Sequence, residues 1–334
     1  MQRLSDKNKH KAEEEIEKSL RPLFLKEYIG QEQLKNNLKV FIGAARGRDE
    51  VLDHVLLYGP PGLGKTTLAY IIANEMHGGI KLVSGPSIEK PGDLAGLLTT
   101  LEPGDILFID EIHRLPRVVE EILYSAMEDF KLNIIVSNET NASTITVPLP
   151  PFTLVGATTR AGDLSAPLRA RFGISEKVDF YSEKELAQIV KRTANFFDST
   201  IDDVSASEIA KRSRGTPRIA NRIFRRVRDF ANFNNSSQIG ISETKKALCA
   251  LRIDSSGLDE VDLNYLLTIR NRFNGGPVGL ETIACAIGEE ESNLEEVYEP
   301  YLLKIGFIDR TPKGRVLTTK GKSYLKGTKE IFTL

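Results

Sequence analysis

The sequence contains no tryptophan and only two cysteines among its 334 residues. Cys249 and Cys285 lie far apart, without a CxxC spacing or a neighbouring histidine, and each is surrounded by apolar residues. This pattern is typical of small core residues rather than of a disulfide or a redox site. Four scattered histidines offer no metal-binding set either. The composition argues against both a disulfide-rich scaffold and a Cys/His metal protein.

Long hydrophobic runs are also missing. No apolar stretch approaches the roughly 20 residues that a transmembrane helix needs. Residues 1–20 are charged and do not resemble a basic cap followed by an apolar secretory segment. We therefore expect a cytoplasmic protein without membrane association, in which residues 1–19 form a mobile leader.

The formal net charge is only −1, but the charges are unevenly distributed. Residues 301–334 contain eight lysines or arginines and two acidic residues, whereas residues 256–300 contain ten acidic residues and two arginines. The basic C-terminal segment is therefore a candidate contact for a polyanion.

The segment GPPGLGKT at residues 59–66 follows the apolar run 55–58 and precedes a helical pattern. It matches the P-loop spacing, in which glycines such as Gly62 and Gly64 let backbone N–H groups converge on a polyphosphate. Lys65 can reach the β- and γ-phosphates, and the Thr66 hydroxyl is placed to hold Mg²⁺. The alternative is an ordinary Gly/Pro turn, but a strand before the segment and a helix after it favour nucleotide binding.

Further apolar runs at 81–83, 106–109 and 152–157 each precede a polar or helical stretch. Buried strands that alternate with helices predict a parallel sheet covered on both faces. The sequence thus predicts a large α/β ATPase domain over residues 20–181.

Beyond residue 182 the pattern becomes helical. The spacing of Ile219, Ile223 and Val227 predicts a small all-α domain over residues 182–253. Residues 256–334 show three helical segments and then a closing hairpin around a Pro/Gly turn. This order predicts a C-terminal winged-helix domain.

Asp110 and Glu111 follow the apolar run 106–109 and would lie at the carboxyl edge of the sheet, where nucleotides bind. An aspartate there can support Mg²⁺, and the adjacent glutamate can polarise an attacking water. The alternative is a pair of acidic residues at a helix N-terminus. The nearby P-loop favours the catalytic interpretation.

Other polar residues could complete such a site. Thr158 ends the run 152–157 and is a candidate sensor of the γ-phosphate, although its hydroxyl could instead satisfy local backbone groups. Arg171 could stabilise transition-state charge on a partner's nucleotide, and Arg218 could link the nucleotide to the helical domain. Isolated arginines of this kind are more often a solvated surface.

The segments GPPGLGKT, LFIDEIHRL, GATTRAG, APLRARFG and RGTPRIANR occur in this order and spacing. Together they resemble the RuvB family, the bacterial AAA+ motors of Holliday-junction branch migration, over about residues 20–327. The resemblance implies a P-loop AAA+ domain, a helical lid and a winged-helix head. It also implies a homohexamer on duplex DNA at four-way junctions, fuelled by ATP with Mg²⁺ and releasing ADP, with a RuvA-like junction-binding partner and a RuvC-like resolvase.

The resemblance also assigns roles to individual residues. Thr67 joins Lys65 and Thr66 at the phosphates, Asp110 and Glu111 form the Walker B pair, and Thr158 and Arg218 resemble sensors 1 and 2. Arg171 resembles the arginine finger that acts on the next subunit's nucleotide. The positions that match the adenine pocket are Leu20, Arg21, Tyr28, Ile29 and Tyr181.

In the head, the resemblance implies DNA contacts by Arg310 and Arg315. The charge pattern points to the same hairpin, because the preceding helical segment, residues 291–305, would be repelled by phosphate. Its acidic residues are Glu291, Glu295, Glu296 and Glu299. Contacts with phosphate alone would suit a motor that moves along any duplex.

A second hairpin is predicted between residues 131 and 147, and in the family such a hairpin docks on RuvA. Ile145 and Val147 could present an apolar contact here, although the hairpin could equally pack on its own domain. The tip, residues 138–141, departs from the family's Gly/Ala/Arg-rich sequence.

Two functions from different classes remain open at this point. The first is an ATP-dependent motor for branch migration in recombination and repair. The second is a clamp-loader-like or scaffold ATPase that binds DNA without translocating. The winged head with its basic hairpin favours the motor, since clamp loaders carry a helical collar instead.

Overall fold

The computed structural model describes residues 19–138, 141–234, 236 and 238–326. The chain divides into two units. The first contains the described residues up to Gly59 and residues Gly64–Asp179, and the second contains Pro60–Leu63 and the described residues from Phe180 onwards. The predicted leader, residues 1–19, lies outside the described residues except for Ser19.

A parallel sheet organises the first unit, with strands in the order β2–β3–β6–β1–β7. These strands are β1 (Val55–Tyr58), β2 (Ile80–Ser84), β3 (Ile106–Asp110), β6 (Thr153–Thr158) and β7 (Ile174–Lys177). Every residue of β6 is buried, and so is every residue of β3 except Asp110. Because both faces of these strands are covered, their sequences are continuously apolar instead of alternating.

Helices accompany this sheet in the βα order that the sequence predicts. They are α1 (Glu32–Gly47), α2 (Lys65–Met76), α3 (Pro91–Leu98), α4 (Arg117–Asp129) and α5 (Ala166–Ala170). A hydrophobic cluster that includes Leu94, Leu123 and Phe152 joins helix and strand residues in the core. An antiparallel hairpin, β4 (Lys131–Asn138) and β5 (Asn141–Pro148), lies between α4 and β6 in the chain.

The second unit begins with a helical lid. It contains α6 (Glu183–Phe196), α7 (Asp203–Lys211), α8 (Pro217–Phe233) and α9 (Ile241–Ala250). Ser182 and Glu185 form a capping box that starts α6. On α8 the predicted positions Ile223 and Val227 are buried, whereas Ile219 is half-buried. Phe224, which the spacing did not include, is buried as well.

The head follows in the same unit. Its helices are α10 (Glu260–Arg272), α11 (Leu280–Ile287), α12 (Glu291–Asn293), α13 (Glu299–Lys304) and α14 (Thr319–Lys326). The hairpin is formed by β8 (Ile308–Thr311) and β9 (Gly314–Leu317). The hydrophobic core of the head includes Tyr265, Ile283 and Leu302.

Two details of the head differ from the sequence interpretation. The predicted helix over residues 291–305 is interrupted by a π-helical turn, Leu294–Tyr298. The hairpin does not close the domain, because α14 follows it. Helix α14 carries few apolar side chains. It packs closely against Phe307, since a Cβ at Gly321 would lie only 2.2 Å from the Phe307 carbonyl oxygen.

None of the helices in the described part of the chain combines the length and the apolar character that a bilayer crossing requires.

Candidate functional site

The P-loop adopts a backbone that glycine alone accommodates easily. Gly59, Gly62 and Gly64 all have positive φ angles, of 143°, 76° and 98°. A Cβ at Gly59 would lie 2.3 Å from the Val178 carbonyl oxygen. Left-handed backbone at these positions is what allows successive N–H groups to turn towards one anion.

Lys65 begins α2 and is buried, with 8% of its surface exposed. Its Nζ donates to the Gly59 carbonyl oxygen at 2.8 Å, so the ammonium group lies across its own loop. A buried lysine among backbone amides at a helix N-terminus fits a polyphosphate. Thr66 and Thr67 follow in the first turn of the same helix.

The strand order brings three parts of the predicted site to one edge of the sheet. Strand β6 lies between β3 and β1, so Asp110 and Thr158 end neighbouring strands, and Gly59 directly follows the end of β1. The Gly59 amide donates to the Thr158 carbonyl oxygen at 3.1 Å. This edge is where open parallel sheets bind ligands.

Asp110 ends β3, and Glu111 caps a short helical turn, so the alternative interpretation of acidic residues at a helix N-terminus holds in part. Glu111 has a left-handed backbone, with φ of 50°, and precedes a short 3₁₀ turn, Ile112–Arg114. Its amide donates to Asp110 Oδ1 at 3.0 Å, and its carboxylate forms a 3.0 Å ion pair with Arg114. The two carboxylates therefore have different partners at the strand end.

The Thr158 hydroxyl has local partners. Thr158 Oγ1 lies 2.9 Å from His113 Nδ1 and accepts a hydrogen bond from the Arg160 amide at 2.9 Å. Sequence reasoning missed His113, although it stands three residues after Asp110 in the segment LFIDEIHRL. The pair joins the end of β6 to the turn after β3.

Four residues assigned to the adenine pocket belong to the first unit, and Tyr28 among them lies beside the P-loop. Leu20 and Tyr28 are buried, and Ile29 is half-buried. A Cβ at Gly64 would lie 2.9 Å from the Tyr28 hydroxyl, which places that ring beside the loop. The Arg21 guanidinium lies 5.0 Å from the centroid of the Tyr70 ring.

In the second unit, the loop segment Pro60–Leu63 is held by two further candidate residues. The Tyr181 hydroxyl donates to the Leu63 carbonyl oxygen at 3.3 Å. The Arg218 amide donates to the Gly62 carbonyl oxygen at 3.4 Å. Tyr181 is buried, whereas the Arg218 side chain is exposed.

Arg171 is held by its own chain. Its Nη1 donates to the Pro167 carbonyl oxygen at 2.8 Å, its Nη2 pairs with Glu128 at 3.1 Å, and its guanidinium lies 4.3 Å from the Tyr124 ring centroid. The side chain keeps 20% of its surface exposed. Arg171 therefore reaches the surface, but not as an unpaired side chain.

Arg310 and Arg315 flank the hairpin turn of the head, and both bind Glu299. Arg310 Nε and Arg315 Nε each donate to this carboxylate at 2.8 Å, and the Tyr265 hydroxyl donates to it at 2.5 Å. Glu299 has no exposed side-chain surface, so it does not belong to an exposed acidic face of this helical segment. The sequence around Glu299 does not reveal its pairing with Arg310 and Arg315, because these arginines lie in other elements of the domain.

The environment of Glu299 lowers the pKa of its carboxyl group. Burial acts to raise this pKa, but the hydrogen bonds from Arg315 and Tyr265 and the charges of Arg310 and Arg315 outweigh it. The carboxylate thus compensates part of the arginine charge on the hairpin. Arg310 remains 43% exposed and Arg315 17% exposed.

Ile145 and Val147 differ in exposure on the β4–β5 hairpin. Ile145 is 51% exposed, whereas Val147 packs against the core cluster of the first unit. Val147 pairs in register with Leu132, which is fully buried. Of the two side chains, Ile145 is the one that remains largely exposed.

No group of three or more His, Cys, Asp or Glu side chains is arranged for a metal ion within the residues that the structure describes. The donors that the sequence predicts for Mg²⁺ are instead the Thr66 hydroxyl and the Asp110 carboxylate. Hard oxygen donors of this kind are suited to Mg²⁺ when phosphate oxygens complete the shell.

Comparison with known proteins covers nearly the whole chain. Residues 20–178 match the Holliday junction DNA helicase RuvB P-loop domain, residues 181–254 the RuvB AAA lid domain and residues 255–326 the RuvB C-terminal winged helix domain. The Holliday junction branch migration complex subunit RuvB of Staphylococcus haemolyticus is 57% identical over 324 residues, 97% of this chain and 98% of that protein. The corresponding subunit of Pediococcus pentosaceus is 59% identical over 313 residues, 94% of this chain and 93% of that protein.

A solved structure, the Thermotoga maritima RuvB Holliday junction branch migration motor, matches with a TM-score of 0.85 at 53% identity. The match covers 92% of this chain and 98% of that one. The architecture is thus a P-loop AAA+ domain, an AAA lid and a winged-helix domain, and the P-loop domain binds a nucleotide. The chain belongs to the RuvB family.

Proposed function

We propose that this protein is the ATP-driven motor of Holliday-junction branch migration in recombination and repair. The observation that carries the proposal is the presence, on one chain, of a nucleotide cradle and a winged head with an arginine-bearing hairpin. A clamp-loader-like scaffold is the weaker candidate, because the head matches a winged-helix domain rather than a helical collar. The proposal includes the predicted leader (1–19), ATPase domain (20–181), helical lid (182–253) and winged-helix head (256–334). It also includes a cytoplasmic location.

The nucleotide would be ATP, hydrolysed to ADP. The P-loop amides, Lys65 and Thr67 would bind its phosphates, and Thr66 and Asp110 would hold Mg²⁺, which neutralises charge on the phosphate oxygens. Glu111 would orient and polarise the attacking water. The Asp110 carboxylate accepts a hydrogen bond from the Glu111 amide, whereas the Glu111 carboxylate pairs with Arg114, and these different partners support separate roles for the two groups.

Thr158 would sense the γ-phosphate together with His113, and Arg218 would report nucleotide binding to the lid. The adenine would be bound by the residues that match the adenine pocket of the RuvB family, which are Leu20, Arg21, Tyr28, Ile29 and Tyr181. Tyr181 and Arg218 both bind the loop segment Pro60–Leu63, which supports a lid that responds to occupancy of the loop.

Arg171 would complete the site of a neighbouring subunit, which requires a ring, and we propose a homohexamer. Its ion pair with Glu128 is partly exposed, and such pairs contribute about 0–1 kcal/mol. A triphosphate carries more negative charge than one carboxylate. The pair is therefore too weak to keep Arg171 from a neighbour's γ-phosphate.

The head would contact duplex DNA through Arg310 and Arg315. With Glu299 compensating part of their charge, the hairpin would bind phosphates moderately, which suits a motor that must release and rebind. Ile145 would contribute to the contact with a RuvA-like junction-binding protein, and a RuvC-like resolvase would act on the product junction.

The test is strand exchange on a synthetic four-way junction with ATP, Mg²⁺ and a RuvA-like protein. We expect branch migration by the wild-type protein and none by Glu111→Gln, which should still bind ATP. ATP-dependent junction binding by the wild-type protein without movement would instead favour the scaffold.

A further inference from the structure

Three side chains on α4 form one face towards the segment that carries Arg171. Glu120, Tyr124 and Glu128 are spaced four residues apart, so they lie in one row along the helix. All three contact residues between 165 and 171, and we call this row the α4 platform.

The first contact fixes the start of the segment. Ser165 Oγ donates to Glu120 Oε2 at 2.6 Å, and the Tyr124 hydroxyl lies 3.2 Å from the same carboxylate and 3.3 Å from Ser165 Oγ. Ser165 in turn accepts from the Leu168 amide and caps α5. Because Glu120 is buried, at 5% exposure, this network anchors α5 firmly.

The second contact fixes Arg171 itself, which directly follows α5. The Tyr124 ring lies under the guanidinium at 4.3 Å, and Glu128 binds Nη2. Arg171 Nε is buried and has no hydrogen-bond partner in the described part of the chain. The guanidinium is thus oriented by a ring face rather than by a full set of acceptors, which leaves donor capacity unused.

We infer that Tyr124, supported by Glu120 and Glu128, is the positioning residue that presents Arg171 to the adjoining subunit. The inference rests on the proposed function, in which Arg171 acts in trans. A long arginine side chain has many rotamers, and stacking on a fixed ring restricts them before the neighbour arrives. Tyr124 takes part in both contacts of the platform, since its hydroxyl lies beside Ser165, the cap of α5, and its ring stacks on Arg171.

The primary test is Tyr124→Leu, which retains apolar volume but removes the ring and the hydroxyl. Displacement of a reacting group by 1 Å can cost about a hundredfold in rate, so we expect kcat for ATP to fall by roughly ten- to a hundredfold. The KM for ATP should stay unchanged, because Tyr124 does not contribute to its own subunit's nucleotide cradle. Phe197→Leu is the matched control, since Phe197 supports Arg228 at 4.0 Å in the lid, and it should leave kcat unchanged.

Mixed rings then test whether Tyr124 acts through the finger. A Tyr124→Leu subunit has an intact Glu111, so a Glu111→Gln neighbour can supply its finger, and mixing these two variants should restore part of the turnover. Mixing Tyr124→Leu with Arg171→Ala should restore none, since neither variant has a functional finger. Glu128→Ala changes an exposed position, and it should lower kcat by a smaller factor that mixing with Glu111→Gln also restores. This variant replaces Tyr124→Leu in the test if Tyr124→Leu does not assemble into rings.

The outcomes separate the two proposals. If Arg171→Ala is rescued by Glu111→Gln but neither platform variant is, the platform acts within its own subunit and the inference is wrong. Full turnover by Tyr124→Leu and Glu128→Ala would also overturn it. If even Arg171→Ala is not rescued, the trans role of Arg171 in the proposed function fails.

Discussion

Arg214 Nη2 lies 2.5 Å from Asp262 Oδ2, and both side chains are almost completely buried. Arg214 belongs to the loop between α7 and α8, four residues before Arg218, whereas Asp262 is in the first turn of α10 in the head. Arg214 also pairs with Asp259 at 2.7 Å and donates to the Gly257 carbonyl oxygen at 2.8 Å. This buried cluster joins the lid to the head within one unit.

Removal of Arg214 should therefore destabilise the second unit strongly. Arg214→Met leaves the Asp262 carboxylate buried without its cation, and breaking such a pair costs about 3–5 kcal/mol. Denaturant unfolding of the full chain would measure the loss. Arg252→Ala is the matched control, because its ion pair with Glu260 is exposed and should contribute at most about 1 kcal/mol. Equal losses for the two variants would contradict this account.

The stability of the head should depend on the charge of Glu299. Its pKa is lowered in the folded protein, so the ionised form contributes stability that is complete above the ordinary value of 4.5 and is lost as the pH falls through the lowered value. Glu299→Gln mimics the protonated form. The difference in unfolding free energy between wild type and Glu299→Gln should be constant from pH 7 to about pH 5 and narrow below 4.5. A difference in unfolding free energy that grows as the pH falls would refute a stabilising role for the ionised Glu299.

Arg310 should bind DNA through phosphate rather than through bases. We expect Arg310→Gln to weaken duplex binding equally for unrelated sequences and to reduce the slope of log affinity against log salt by about one. Lys245→Gln, an exposed change on α9, is the control and should alter neither quantity. Titrations of fluorescent duplexes at several salt concentrations provide the measurement, and an unchanged slope would exclude Arg310 from the contact.

His113 and Thr158 should act as a unit. If the hydrogen bond between them positions the sensor, His113→Ala and Thr158→Val should each lower kcat, and the double variant should be little worse than either. We expect a coupling energy of about 1 kcal/mol or more in this double-mutant cycle on kcat. Strictly additive effects would show that the contact has no role in turnover.

The sequence predicts best what is contiguous in the chain. The P-loop, the apolar strands and the amphipathic α8 are local patterns, and the RuvB-like segments indicate the three-part architecture. The contacts of Glu299 with Arg310 and of Glu128 with Arg171 join residues far apart in sequence, so local patterns cannot indicate them. Helix α14 was missed because its eight residues carry few apolar side chains, and its packing depends on Gly321.

The central claim is that a nucleotide bound by one subunit is completed by Arg171 of the next. Its most direct test is ATP turnover per subunit measured against protein concentration, for wild type and Arg171→Ala, with assembly followed by sedimentation. We predict that wild-type turnover rises as rings form, while Arg171→Ala assembles but stays near the basal rate at every concentration. Isolated wild-type monomers that hydrolyse ATP as fast as rings would contradict the account.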